Sequence, residues 1–531
     1  MSDAQLQPAT TLGWDTSLLV GLLPASLVRR ACEGRGGTPE ELLQCVDDAF
    51  VGMNTQVFAV AEEEPVNKAA AAAAAALAAA QASIAKDAPK AAAHQQRGNA
   101  FVRKGAKSRK ANVAARAAYS EALLYCGEAA VRAVLHSNRS LVRLRLGDAA
   151  GALADAREGV ALDPGYEKAP KRLEKALAAM KSSVEEIDDE EEEAAAAPEE
   201  GGGAVKWAEG RGARDSGRCM LAAEGADIVA GCSVLGQAPA AAALRPEAWR
   251  THCHWCLRAV VSGAPFCCGG CAHVQYCGAA CRAAAAEEHG AECGRAEFAL
   301  LPPTTVCAMR LNRKSKGDKT AAGLELRRAL APMATHGDEL DGFELLGHCV
   351  QAAAACRLPP ALLESEKMEP ADALRLCLLT QFNAVALGGV GIAIDNRDGG
   401  GQVEEVEQQS HAVALYTRVA LANHCCEPSA LLRFRGRDAE LVALRGLSGG
   451  EEISLSYGPT VGRQARPERR QVLQRRWCFE CRCVACSRPD STQVDLERMR
   501  CRAEASMLDQ AARQAVVGGD WGAAGEKAEA R

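Results

Sequence analysis

Four pairs of potential metal ligands fall within about 40 residues: Cys253-x2-Cys256, Cys268-x2-Cys271, Cys277-x3-Cys281 and His289-x3-Cys293. Two intervening residues let both thiolates of a pair reach one ion from a tight turn. Three put both ligands on one face of a helical turn. Eight soft or borderline ligands suit two tetrahedral Zn²⁺ sites, with no position left open for substrate, so the expected role is structural. Cys267 adjoins Cys268 and competes with it as a ligand. So short a segment has little core of its own, and metal binding would supply its folding energy. The chain holds 24 cysteines; six more are Cys425, Cys426, Cys478, Cys481, Cys483 and Cys486. Tight clustering, CxxC spacing and a start without a secretory pattern favour metal over disulfides.

With Tyr276 just before Cys277, this spacing resembles the MYND zinc finger. The resemblance implies interleaved pairs: Cys253, Cys256, Cys277 and Cys281 on one ion, Cys268, Cys271, His289 and Cys293 on the other. It also implies a surface for a proline-containing peptide.

A second constellation is split around the first. Upstream stands Ser216-Gly217-Arg218-Cys219-Met220, then Asp227-Ile228 to Leu235, read as two short strands joined by a turn. Downstream come Ala414-Leu415-Tyr416, Asn423-His424-Cys425-Cys426-Glu427-Pro428-Ser429, and Gly450-Glu451-Glu452-Ile453-Ser454-Leu455-Ser456-Tyr457. Ile453, Leu455 and Tyr457 alternate, which predicts a strand with the tyrosine facing inward. Phe479-x-Cys481-x-Cys483-x2-Cys486 closes the series. In this order and spacing the chain resembles the SET and MYND domain-containing protein lysine methyltransferases, over about residues 205–486.

The resemblance implies S-adenosylmethionine as cofactor and protein lysines as substrate. It implies that Gly217 and Arg218 let backbone approach the cofactor. Asn423 and His424 would hydrogen-bond it through main chain and side chain, with Asn383 as a further contact and Phe479 stacked on the adenine. Tyr457 would aim its hydroxyl at the transfer centre. Cys426, Cys481, Cys483 and Cys486 would hold a third, structural zinc. Methyl transfer is an in-line displacement, so the attacking lysine must lose its proton from a free pKa near ~10.4. A narrow apolar channel disfavours the ammonium and aligns the reacting atoms. Cys219, Thr417, Ser429 and Val385 depart from the common residues of the family. Cys219 crowds the backbone approach, and Val385 widens the lysine channel.

These residues need elements to hold them. Apolar positions recur at three- and four-residue steps over residues 115–124, 134–146 and 149–162. Breaks fall at Gly127, Gly147-Asp148 and Asp163-Pro164-Gly165. This helix-pair spacing resembles tetratricopeptide repeats. Some members of that family clamp the C-terminal carboxylate of heat-shock chaperones with Lys, Asn, Asn, Lys and Arg. The matching positions read Gln95, Asn99, Asn138, Lys168 and Arg172. Lys168 and Arg172 share one helix face and could grip an anionic terminus. The first lysine is lost to Gln95, and Pro170 disturbs the helix start.

The fold class expected is multidomain α+β. An N-terminal helical and Ala-rich region (1–91) leads into tetratricopeptide-like repeats (92–180) and an acidic linker (181–204). A β-rich SET domain follows (205–252 and 381–460), split by a MYND finger (253–293) and a helical insert (294–380). A post-SET segment (461–487) and a short helical end (488–531) complete it. Thr38-Pro39-Glu40-Glu41 predicts a helix cap. Residues 395–409 read as a surface loop, and 310–319 as a solvated basic loop. Cys126, Cys349 and Cys377 read as core.

At 531 residues, three or four domains are expected. Removing the ten acidic residues of the 185–200 run from a net −6 leaves the rest at +4, too weak for nucleic-acid binding. No apolar run approaches the ~20 residues of a membrane helix. The expected protein is a monomeric lysine methyltransferase of cytoplasm, nucleus or both. The rival is a non-catalytic adaptor that uses repeats and finger to bind a chaperone tail and a proline-containing peptide.

Overall fold

The computed structural model describes residues 38–39, 41–47, 78–105, 107–185, 205–209, 218–260, 266–295, 297–317, 321–357, 367–395, 402–488, 493 and 496–501. Most of the alanine block, the acidic run after residue 185, Gly217 and residues 502–531 lie outside these. The chain is helical first and sheet-containing afterwards, a multidomain α+β arrangement.

Among the described residues, helical stretches at 41–47 and 78–84 precede five consecutive helices: α1 (Ala88–Lys104), α2 (Arg109–Tyr125), α3 (Ala129–Arg145), α4 (Ala149–Leu162) and α5 (Lys168–Glu185). Their starts are written locally. Asp87, Ser108 and Asp148 each accept a hydrogen bond from a backbone N–H of the first turn of α1, α2 and α4, which satisfies donors that have no partner inside the helix. Gly147, at φ +82, turns the chain between α3 and α4. Gly98 lets α1 close on Tyr119 of α2, where a Cβ would come within 2.7 Å of the ring. The polar core is Asp155, which binds Arg139 at 2.7 Å and His136 at 2.8 Å, all fully buried. The predicted cap at Thr38 is present: its hydroxyl accepts from Glu41 N, while Glu41 reaches back to Thr38 N.

The sheets are built across long sequence gaps. β2 (Arg218–Ala222) lies between β1 (Val205–Glu209) and β13 (Glu452–Ile453). β3 (Asp227–Ile228) pairs with β12 (Leu447–Ser448), and β4 (Ser233–Gln237) with β11 (Asp438–Ala443), which carries β10 (Ala430–Arg435) on its other side. The two short strands predicted upstream therefore pair with downstream strands rather than with each other. β5 (Ala241–Leu244), β9 (Gln402–Leu415) and β8 (Val385–Asp395) form a third three-stranded sheet, with β9 in the middle. The surface loop expected at 395–409 is corrected here: β8 and β9 pair out to Asp395 and Gln402. Ile392 and Ile394 of β8 stand opposite Val406 and Val403 of β9, β-branched pairs that suit the long arm.

Among its described residues the cysteine-rich segment contributes the ribbon β6 (Phe266–Cys267) with β7 (Gln275–Tyr276), and helices α6 (Ala279–Ala284) and α7 (Ala286–Glu292). Behind it, α8 (Pro303–Asn312), α9 (Ala321–Leu330), α10 (Gly342–Arg357) and α11 (Pro370–Asn383) follow. α8 packs on β5 and β9, and α10 and α11 pack on α8 and on each other, with Cys349 and Cys377 in this core. The solvated loop expected from Arg310 is also corrected. Arg310 sits in α8, bound to Glu292 at 2.6 Å, and Lys314 binds Glu288 at 2.6 Å. The basic run was an incomplete signal because its acidic partners lie on α7. Among the described residues no helix is long and apolar enough to cross a membrane.

Candidate active site and metal centres

Three ligand clusters assemble where the sequence paired them: Cys253, Cys256, Cys277 and Cys281; Cys268, Cys271, His289 and Cys293; Cys426, Cys481, Cys483 and Cys486. A tetrahedral zinc with sulfur at about 2.3 Å sets sulfurs about 3.8 Å apart. The sulfurs of Cys256 and Cys277 lie 3.6 Å apart, those of Cys277 and Cys281 3.5 Å, and those of Cys268 and Cys293 3.6 Å. His289 Nε2 is 3.7 Å from Cys271 Sγ. Cys426 lies 3.8 Å from Cys481 and 3.5 Å from Cys486. These are ion-sharing separations, far beyond the ~2 Å of a disulfide. The sulfurs sit close enough to titrate as one set: a hydrogen bond from the Cys271 thiol holds Cys268 well below the usual thiol range, and Cys271 itself is driven far up. Such sets fit a dication that neutralises the thiolates together. Cys267 is buried and stands outside the cluster, its carbonyl accepting from Arg132 at 2.7 Å.

The first two clusters are anchored to the helical repeats. Arg132 of α3 also donates to the carbonyl of Cys268 at 3.1 Å, as does Lys86 at 2.7 Å. Arg282 of α6 pairs with Glu158 of α4.

The third cluster adjoins a cleft of about 570 Å³. Asn423, His424, Tyr457 and Phe479 line it, and Asn383 enters from the end of α11. They come from four separate stretches of sequence. The 423–426 segment runs beside 455–457: Leu455 N donates to Asn423 O at 2.9 Å and Cys425 N to Leu455 O at 2.7 Å. The predicted strand breaks after Ile453, yet Ile453 and Leu455 point inward as the alternation requires. Asn423 Nδ2 donates to Glu452 at 2.9 Å. Asn383 Nδ2 donates to the carbonyls of Ala334 and Leu379, both at 2.8 Å. His424, only 1% exposed, directs both ring nitrogens to protein partners. The Tyr457 hydroxyl donates to Ala422 O at 2.9 Å. Phe479 stands edge-on to Tyr457, centroids 6.4 Å apart, and 6.1 Å from His424.

Ser429 is structurally used: its Oγ accepts from Ser454 N at 2.8 Å, tying the 423–429 segment to the end of β13. Thr417 Oγ1 accepts from Gln237 at 2.9 Å. Cys219 is buried on β2. Arg218 begins β2, whose Met220 pairs with Ile453, so the two halves of the split constellation meet in one sheet.

Sequence reasoning missed part of the cleft wall: Met333, His336, Phe382 and Trp477. Trp477 ends α12 (Arg466–Trp477), its ring tilted against that of Tyr457 with centroids 5.6 Å apart. Its place two residues before Phe479 was the available signal. Nothing in the sequence marked His336. Burial pushes the Cys478 thiol, between Trp477 and Phe479, up to about 11, and Glu339 and Glu344 add to the shift.

No family model matches the chain. It is 36% identical over 84 residues to histone-lysine N-methyltransferase SMYD3 of Mus musculus, covering 16% of this chain and 19% of that protein. With N-lysine methyltransferase SMYD2-B of Danio rerio it shares 26% over 244 residues, 44% of this chain and 50% of the relative. With protein-lysine N-methyltransferase SMYD4 of Danio rerio it shares 23% over 338 residues, 47% and 44% respectively. The chain thus spans half or less of the length of each of these relatives.

Proposed function

We propose that this relative of the SET and MYND domain-containing protein-lysine methyltransferases transfers a methyl group from S-adenosylmethionine to lysine side chains of protein substrates. The observation that carries the reading is the convergence of Asn383, Asn423, His424, Tyr457 and Phe479 on one cleft. When bound, the cofactor supplies an electrophilic sulfonium methyl. The cleft suits it in size and in its mixture of aromatic wall and few polar groups.

In this reading Phe479 offers a ring face to the adenine. The Asn423-His424 main chain, Asn383 and the Gly217-Arg218 stretch hold the remaining polar parts. Because the His424 ring is committed internally, its contribution is main-chain contact and the positioning of Tyr457. Tyr457, anchored on the Ala422 carbonyl, holds its hydroxyl at the transfer centre. Withdrawal of the amine from water inside the cleft disfavours the charged ammonium and so favours the free amine as nucleophile. Cys253, Cys256, Cys277 and Cys281 would hold one structural zinc in a MYND-like finger, and Cys268, Cys271, His289 and Cys293 a second. Cys426, Cys481, Cys483 and Cys486 would hold a third in a post-SET-like segment, beside Phe479. The same reading has the protein acting as a monomer in cytoplasm, nucleus or both.

A second reading concerns the tetratricopeptide-like repeats. Asn99 lies on α1, Asn138 on α3, and Lys168 and Arg172 on α5, and α3 packs on α5. Arg172 keeps an enclosed Nε without a hydrogen-bond partner, and burial, with Arg145 nearby, lowers its pKa. That local surplus of positive charge favours an anionic peptide terminus such as a chaperone tail. A proline-containing peptide on the finger belongs to the same adaptor role.

Labelled methyl transfer to a proteome extract tests the main reading. Label in lysine with the wild type and none with Tyr457→Phe supports it. Cofactor binding without any transfer, or none at all with the cysteine clusters metal-loaded, leaves the adaptor role.

A further inference from the structure

Three side chains outside the clusters above also meet at ligand distance: His336, Glu339 and Cys478, with Nδ1/Nε2, carboxylate and sulfur atoms within 4.8 Å of one another. His336 Nδ1 lies 3.2 Å from Glu339 Oε2. Zinc bonded to nitrogen and oxygen at about 2.0–2.2 Å places such atoms a little over 3 Å apart. The histidine and glutamate flank one short helical turn, residues 337–339, between α9 and α10. The cysteine caps the C-terminal end of α12, 139 residues further along the chain than Glu339. No sequence motif links them; the fold alone joins them.

The backbone bears on the same point. Among the described residues, three non-glycine residues have left-handed φ: Leu257, His336 and Cys478. Two of the three are members of this triad, at φ +50 and +56. Left-handed non-glycine backbone costs energy and gathers where side chains must be aimed for function. The His336 ring is further fixed edge-on against Phe382, centroids 4.9 Å apart. It lines the cleft, while Cys478 lies between the cleft residues Trp477 and Phe479.

We propose that His336, Glu339 and Cys478 form a further binding site for Zn²⁺ at the rim of the cleft, with three protein ligands and one position left for solvent or a small anion. Imidazole and thiolate select a borderline transition ion over Mg²⁺ or Ca²⁺. With one protein ligand fewer and a partly exposed carboxylate, the site is weaker and more exchangeable than the four-ligand clusters. Its ion bridges the 332–339 wall and the 477–482 wall of the cleft, so occupancy restrains the opening between them. The site stands on its own geometry; its effect on the cleft rests on the cofactor reading above.

The test is zinc content of the full chain by mass spectrometry of metals, after dialysis against a series of buffered free Zn²⁺ concentrations. The wild type should retain one equivalent more than His336→Ala or Cys478→Ser. Glu339→Gln, at an exposed position, should weaken that last equivalent at least ~10-fold while leaving the melting temperature unchanged. Identical zinc content in all four proteins across the series overturns the site. Calorimetric titration with S-adenosylmethionine, at zinc levels that fill and empty the last site, reads the second half. Affinity that differs between the two conditions in the wild type and not in Cys478→Ser supports the bridge; equal affinity overturns the bridge alone. Absence of cofactor binding in every sample counts against the methyltransferase reading and leaves the metal result standing.

Discussion

His424 accepts a hydrogen bond from the backbone N–H of Tyr457 through Nδ1, at 3.0 Å, and its Nε2 lies 3.3 Å from Cys426 Sγ. With Nδ1 accepting, the ring proton sits on Nε2 and points to the sulfur. One imidazole therefore connects the tyrosine of the cleft to a ligand of the third cluster.

His424→Ala removes both links. A buried N–H and a thiolate lose partners, which costs roughly 1–3 kcal/mol each when unsatisfied. The variant should melt lower, bind cofactor more weakly and release metal from the third cluster more readily. Calorimetric melting and metal retention check this, and unchanged metal retention would break the connection.

Tyr457→Phe deletes the hydroxyl that donates to Ala422 O. One neutral hydrogen bond is worth about 0.5–1.5 kcal/mol, so the fold should survive. Methyl transfer should drop by roughly 100-fold or more if the hydroxyl orders the transfer centre. Single-turnover transfer rates decide the matter.

Arg132→Ala should loosen the repeats from the finger. Arg132 is buried and donates to the carbonyls of Cys267 and Cys268. Hydrogen bonds from a charged donor contribute about 1.5–3 kcal/mol. Hydrogen exchange should accelerate together in α3 and in the 266–271 segment. Acceleration confined to α3 would mean that the two parts are not coupled.

Chelation should unfold the cysteine-rich segments rather than merely silence them, since metal binding and folding are one equilibrium there. The expected sequence is loss of zinc, rise of titratable thiols and loss of protection at 253–293. Retained protection in the metal-free protein contradicts the proposed structural zincs.

Acid should weaken the helical core through His348. Burial pushes its pKa down to about 4 from 6.5, partly offset by a hydrogen bond with Gln351. The unfolded chain then binds the proton first, so stability falls as pH drops through 6.5 and the loss is complete below the folded value. His348→Leu should remove this contribution. The stability gap between wild type and variant should shift by roughly 2 kcal/mol in the variant's favour between pH 8 and pH 5. Denaturant melts at the two pH values, with zinc in excess, measure it.

The sequence by itself determined the groups that chemistry needs and their local grouping. CxxC and Cx3C spacing brings ligands together within one turn, so the pairs are legible without a fold. Helix starts and stops in the repeats are equally local, written in Asp87, Ser108, Asp148 and Gly147. The order of motifs marks Asn423, His424, Tyr457 and Phe479, which line one cleft. The tertiary structure alone decided that β2, β3 and β4 seek strands more than two hundred residues downstream. It alone paired Arg310, Lys314 and Lys316 with acidic residues and made the 402–409 segment a strand. It alone brought Trp477, Phe382 and the His336–Glu339–Cys478 triad to the cleft. Contacts of this kind depend on backbone pairing and burial between distant segments, and no periodicity within either segment records its partner.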